Sequence, residues 1–216
     1  MTLDRHARFA ELEPRLRAPF QHMPVDWAHP RDVARIGLPL LDLLRDLHQL
    51  NEDSARVFYA ASILHDLGWV VGQQQHHKRS MEMILAAEFE GIDVAEKRRI
   101  ACLARYHRRA FPDPGHAIYE ELPADEQETI RQLAAILRVA DGLDRGQVGN
   151  VEYVSLGTLT GEIVHLVIHS AYPCNEELYG GRKKSDLFRL VFGRALVFSR
   201  SSLPLCEAAP DMPSGE

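Results

Sequence analysis

His65 and Asp66 close an apolar run, "SILHDLGW", and no feature constrains the fold of this chain more. A buried carboxylate without a partner is costly, so packing alone does not explain a histidine–aspartate doublet at the end of a core helix. Other segments must bring groups to it. His29, His77, His107 and Asp141 are the candidates, spread along the run of predicted helices, with His107 and Asp141 on apolar stripes. The pattern therefore asks for a bundle in which five separate segments converge.

The rest of the chain supplies those helices. Residues 2–18 read as a short amphipathic helix ended by Pro19, and His29 precedes Pro30, a residue suited to a first helical turn. Val33, Ile36, Leu40, Leu43, Leu44 and Leu47 then recur at helical spacing to about Leu50. "NEDS" caps the next helix, in which Phe58, Ala61 and His65 share a face and Gly68 is read as the stop. "HHKRSMEMILAAEFEG" is predicted helical to Phe89. "DVAEKRRIACLARYHRR" places Ile100, Leu103, Ala104 and His107 on one stripe, and "AFPDPGHAIYEELP" reads as a loop. A strong helix, "DEQETIRQLAAILRVADGLDRG", carries Leu133, Leu137, Asp141 and Asp144 at three- and four-residue steps.

Beyond Val148 the texture changes to β-branched residues. "VEYVSLGTL" and "EIVHLVIHS" form a hairpin about Thr160–Gly161, "KKSDLFRLVFG" is a short helix with Ser185 as its cap, and "RALVFSR" is a last strand. The expected architecture is mainly α: a helical bundle over 1–147, a small α/β extension over 148–202, and a disordered tail over 203–216.

Composition removes several function classes. A formal charge of −6 argues against general or sequence-specific embrace of nucleic acid. The three cysteines are far apart with no C-x-x-C pair, and read as reduced thiols. No stretch reaches the ~18 apolar residues of a spanning helix, and the N-terminus has no apolar leader core, so a cytoplasmic protein is expected. Neither a Gly-rich phosphate loop nor a G-x-S-x-G nucleophile motif occurs.

Imidazole and carboxylate donors without thiolate suit Mn²⁺, Fe²⁺, Zn²⁺, Ni²⁺ or Mg²⁺, and one or two such ions are expected. His29, His65, Asp66 and Asp141 would hold the first. His77 and His107 would hold the second, with the Asp66 carboxylate offering one oxygen to each. Hydroxide on such ions attacks phosphate near neutral pH, and the ions neutralise phosphoryl charge. Basic residues crowd the same segments. Arg108, Arg145 and Lys78 are the expected phosphate contacts, with Asp66 central to catalysis.

The order H…HD…H…H…D resembles the HD superfamily of metal-dependent phosphohydrolases. "HPRDVARIGLPLLDLL", "AASILHDLG", "HHKRSMEMI", "LARYHRR" and "AAILRVADGLDRG" are similar to the C-terminal domain of the exopolyphosphatase/guanosine-pentaphosphate phosphatase family, over roughly residues 25–200. In that family polyphosphate hydrolysis belongs to two preceding actin-like domains. The resemblance therefore implies a stand-alone HD domain that is not itself an exopolyphosphatase. Trp69 stands where many HD hydrolases carry a lysine, and Arg79 replaces a histidine, which leaves His76 or His77 as the ligand.

The blander readings are ordinary core histidines, a solvated arginine face, an internal salt bridge for Arg138, and Asp144 at the surface or behind the ligands. Function resolves to hydrolysis of a nucleotide or other small phosphorylated compound. The alternatives are a non-catalytic nucleotide- or alarmone-binding or assembly module, and oxygen chemistry at a di-iron site. A homodimer is conceivable through an exposed edge of "EIVHLVIHS".

Overall fold

The computed structural model describes residues 7 and 9–202. The tail expectation for 203–216 and the opening residues of the predicted 2–18 helix lie outside that range. Helix α1 (Glu13–Arg17) follows a turn and gives way to a 3-10 turn, Ala18–Phe20. Then come α2 (Ala28–Leu43), a single turn α3 (Arg45–His48), α4 (Glu52–Leu64), α5 (His76–Ala86), α6 (Val94–Arg105), the short α7 (Ala117–Glu120) and α8 (Ala124–Leu143).

Helix α8 is the axis of the bundle. Every residue from Leu133 to Leu143 is buried, as a helix enclosed on all sides requires. It packs against α2, α4 and α6. Local chemistry sets the helix starts. Asn51 Oδ1 accepts from Ser54 N at 3.0 Å, and Asp93 Oδ1 accepts from Glu96 N at 2.8 Å. Helix α5 ends at Ala86 rather than Phe89, because Ala87 turns to extended backbone. The predicted helix running to Leu50 instead breaks at Leu44 and resumes as α3.

Strands β1 (Tyr153–Leu159) and β2 (Ile163–Ser170) form the expected antiparallel hairpin, with a bulge between Leu156 and Thr158. Helices α9 (Asn175–Lys183) and α10 (Asp186–Phe192) then cross over to β3 (Ala195–Ser202), which pairs with β2 in parallel. Three sequence readings change here. Helix α9 was not anticipated, since Gly180–Gly181 lowers its intrinsic propensity. Strand β2 is the middle of the order β1-β2-β3 and so has no unpaired edge. Ser185 does not cap α10. Its Oγ donates to Arg182 O, and Asp186 Oδ1 accepts from Leu187 N instead.

The extension and the bundle share one core. Val164, Leu166, Ile168, Phe188 and Phe198 join the same apolar cluster as Phe58, Leu103 and Leu137. The α8–α9 crossing is unusually close: a Cβ on Gly142 would lie 2.6 Å from Gly180 O. That contact carries the last turn of α9 to the end of α8 where Asp141 stands.

Candidate metal centre

Four imidazoles arrive at Asp66 from four elements: His29 in the first turn of α2, His65 at the end of α4, His76 at the start of α5, and His107 just beyond α6. Asp141 comes from α8. All are buried except Asp66, which is partly exposed.

Each ring is wired at its far nitrogen. His65 Nδ1 lies 2.8 Å from Ser62 O, His76 Nδ1 3.0 Å from Gln73 O, and His107 Nδ1 2.6 Å from Ala104 O. A carbonyl only accepts, so in these three rings Nδ1 carries the proton and Nε2 keeps its lone pair. His29 Nδ1 is held the same way by Asp144 Oδ2 at 2.7 Å. The Nε2 atoms of all four rings therefore point into one small space, the arrangement by which orienting partners prepare histidines for a metal.

The Asp66 carboxylate faces both halves of that space. Its Oδ2 lies 3.6 Å from Nε2 of His29 and of His65, and its Oδ1 lies 3.1 Å from His76 Nε2 and 3.4 Å from His107 Nε2. His29 Nε2 is 3.4 Å from Asp141 Oδ1. Three overlapping groups of donor atoms result: His29–His65–Asp66, His65–His107–Asp141 and Asp66–His76–His107. Bonds of about 2.0–2.1 Å put neighbouring ligands roughly 3.0–3.4 Å apart, close to these separations.

Two observations show that the residues fit a cation. His65 Nε2 and Asp66 Oδ1 are buried polar atoms that make no hydrogen bond of normal geometry. Further, the Nε2 atoms of His76 and His107 stand 3.3 Å apart, lone pair to lone pair unless a positive charge lies between them.

The electrostatics agree. Burial pushes His65 down and His107 well down, keeping both imidazoles neutral as ligands must be. Burial also opposes charge on His29, yet its bonds to Asp141 and Asp144 lift it to about 10. A proton sits on His29 where the carboxylates call for positive charge. Burial raises both carboxyls, but Asp66 is held below its ordinary range by His65, His76 and His107, and Asp141 well below by Lys184 and His29.

The sequence candidates separate cleanly. His29, His65, Asp66, His107 and Asp141 come together. His77 does not join the donor groups. Its ring packs edge-on against His76 and His107, and burial and then the charge of His76 push it down to about 4. Of the two adjacent histidines, His76 faces the centre. Gly68 fixes that choice sterically. It has no positive φ and does not act as a left-handed cap; a Cβ there would lie 2.2 Å from His76 O.

A cleft of about 500 Å³ opens onto the centre. Arg108 lines it, its Nη1 3.2 Å from His76 Nε2, and so does Arg145, whose Nε donates to Glu176 at 3.1 Å. Lys78 is exposed and lies outside the lining. Arg138 makes the internal salt bridge the sequence allowed, to Asp186 at 3.1 Å. Sequence reasoning passed over Lys183 and Lys184. Both line the cleft, and Lys184 Nζ pairs with Asp141 Oδ2. Their signal was the basic run Arg182–Lys184 after Gly180–Gly181, unreadable without the helix that ends there. Asp144, buried and bonded to His29, lies behind the ligands. Among the described residues, no helix is long and apolar enough to cross a membrane.

No curated protein matches the chain. The family model for the Ppx/GppA phosphatase, domain III, matches residues 17–179, which include all six donor residues from His29 to Asp141 and cross from the bundle into the extension. This chain belongs to the Ppx/GppA phosphatase domain III family.

Proposed function

We propose that the chain is a metal-dependent phosphohydrolase acting on a nucleotide or another small phosphorylated compound. The observation that carries this reading is the wiring of the histidines: Nδ1 is engaged in every ring, and Nε2 of His65 is left buried and unpartnered beside Asp66. His29, His65, Asp66 and Asp141 would hold one ion, and Asp66, His76 and His107 a second. The imidazole-rich donor set favours Fe²⁺, Ni²⁺ or Zn²⁺, with Mn²⁺ admitted by the carboxylates, over Mg²⁺. Bound there, divalent ions supply a water of lowered pKa and neutralise charge on phosphoryl oxygens.

The protein's own groups supply the rest. Arg108, Arg145 and Lys183 line the cleft as anion contacts, and Lys184 holds Asp141 in its ionised form while reaching the same space. Burial of the donors on α2, α4 and α8 limits water to the open cleft. Asp144 fixes the His29 ring.

The test is elemental analysis of purified protein, followed by turnover of nucleotides and generic phosphomonoesters after loading with Mn²⁺, Fe²⁺ or Zn²⁺. His76→Ala is expected to lose one ion per chain and most activity, while His77→Ala retains both. Equal ion content in the two variants would overturn the assignment of the second subsite. Asp144→Asn leaves shape unchanged but weakens the hold on His29. It is expected to lower metal affinity about 10–100-fold in a chelator competition. An unaltered affinity would mean that His29 is not a ligand.

A further inference from the structure

Two recesses meet at Asp66, and they differ in charge. Six basic side chains line the larger cleft described above: Arg108, Arg109, Arg138, Arg145, Lys183 and Lys184. The second is a groove of about 240 Å³ that shares His29, Asp66, Trp69 and Gln147 with it. Among the described residues, no lysine or arginine lines this groove. Its walls are Pro24, Val25, Pro30, Trp69 and Val70, with the carboxylate of Asp26 at the side. Away from the edge it shares with the centre at His29 and Asp66, a phosphate would find no counter-charge here and one acid, Asp26, against it. An uncharged, flat group would find apolar walls. The volume is below the ~300–1,000 Å³ of pockets that take a whole ligand, so the groove suits one part of a ligand whose remainder lies elsewhere.

Trp69 stands between the two recesses. One face of its ring stacks on His76, with centroids 5.0 Å apart and planes 27° from parallel, yet 41% of the residue is exposed. A tryptophan that stacks on a held imidazole, stays partly exposed and lines both recesses is a preformed stacking platform, already ordered before a ligand arrives. Gln147, exposed beside it, carries an amide that both donates and accepts and can read a ring edge.

We propose that this groove is a nucleobase subsite in which Trp69 stacks the ring, while the phosphate lies over Asp66 and its histidines and any further phosphates extend into the basic cleft. The proposal rests on the phosphohydrolase reading and narrows its substrate class to nucleotides. Trp69 selects ligands with a planar ring over phosphorylated compounds without one.

Calorimetric titration of the metal-loaded full chain separates the two halves of the ligand with probes that cannot be hydrolysed. The ring half is the four ribonucleosides, each tried in turn, and the phosphate half is inorganic phosphate. Loss of base–aromatic stacking corresponds to roughly 5- to 150-fold in Kd. Trp69→Ala is therefore expected to raise the Kd of the best-bound nucleoside on the order of tenfold or more. The Kd of phosphate should stay within about twofold, and Trp69→Phe should restore most of the nucleoside affinity. Equal weakening of both probes would show that Trp69 only steadies His76, and overturns the proposal. So does a nucleoside affinity insensitive to Trp69→Ala, or no nucleoside binding by the unaltered protein. Turnover is scored separately with a nucleoside monophosphate and glycerol phosphate. If neither is hydrolysed while nucleoside binding depends on Trp69, the hydrolase reading falls and the ring subsite stands.

Discussion

Asp66→Ala is expected to abolish metal binding at both subsites and to reduce phosphohydrolase turnover to background. Asp66 lends Oδ2 to the His29–His65 side and Oδ1 to the His76–His107 side, so one substitution removes a ligand from each. The clearest readout is thermal rather than kinetic. An ion that binds only the native state stabilises it by roughly 2.7 kcal/mol at a hundredfold excess over Kd. For a chain of this size that is a rise in Tm on the order of 5–10 °C. The unaltered protein should show this rise on adding the metal, and Asp66→Ala should show none. Without metal the variant should melt somewhat lower than its parent, because, burial notwithstanding, the surrounding histidines hold the Asp66 carboxyl below its ordinary range and its charge therefore stabilises the fold, so the diagnostic is the size of the metal-induced rise in each protein. A metal-induced rise of equal size in both proteins would place the ion elsewhere.

Gly180→Ala is expected to destabilise the protein by about 2 kcal/mol and to impair the site from a distance. A Cβ at Gly180 would lie 2.1 Å from Gly142 O and 2.9 Å from Arg145 Cβ. The obstacle is backbone, so the α8–α9 crossing must open. Alanine gains about 1 kcal/mol of helix propensity over glycine, which overlap of this kind outweighs. As α9 moves off α8, Lys184 is drawn from Asp141 and Lys183 from the cleft. A lowered Tm should therefore come with weakened binding of inorganic phosphate. Gly161→Ala is the matched control: a Cβ there would meet nothing within 4 Å, and neither Tm nor binding should change. A Gly180→Ala protein that melts at the parental temperature would mean that the helices separate at little cost.

The residues of the centre divide by how far their geometry depends on sequence neighbours. His65–Asp66, Asp141 and the helices that bear them were legible because each sits at the end or on the face of a strongly periodic apolar segment. The burial of α8 across Leu133–Leu143 follows from that composition. His76 and His77 were not separable. Adjacent residues on a helix point about 100° apart, and which one turns inward depends on the rotation of α5 about its axis. That rotation is set by contacts remote in sequence, above all the approach of Gly68 to the His76 carbonyl. The same holds for Lys78, whose place beside a histidine suggested a phosphate contact and whose side chain emerges on the solvent side.

Lys183 and Lys184, at the end of α9, mark the other boundary. Gly180–Gly181 argues against a helix by local propensity, and the helix exists because those glycines let it lie against Gly142. From the order of residues alone come the helical class, the C-terminal β-rich segment and a histidine–aspartate set able to take a divalent ion, since periodicity and donor chemistry are properties of short segments. The identity of the inward histidine, the pairing of Lys184 with Asp141, the central place of β2 and the largely apolar groove beside Trp69 came only with the assembled fold. Each depends on how helices rotate and approach one another, and that is settled by packing between segments tens of residues apart.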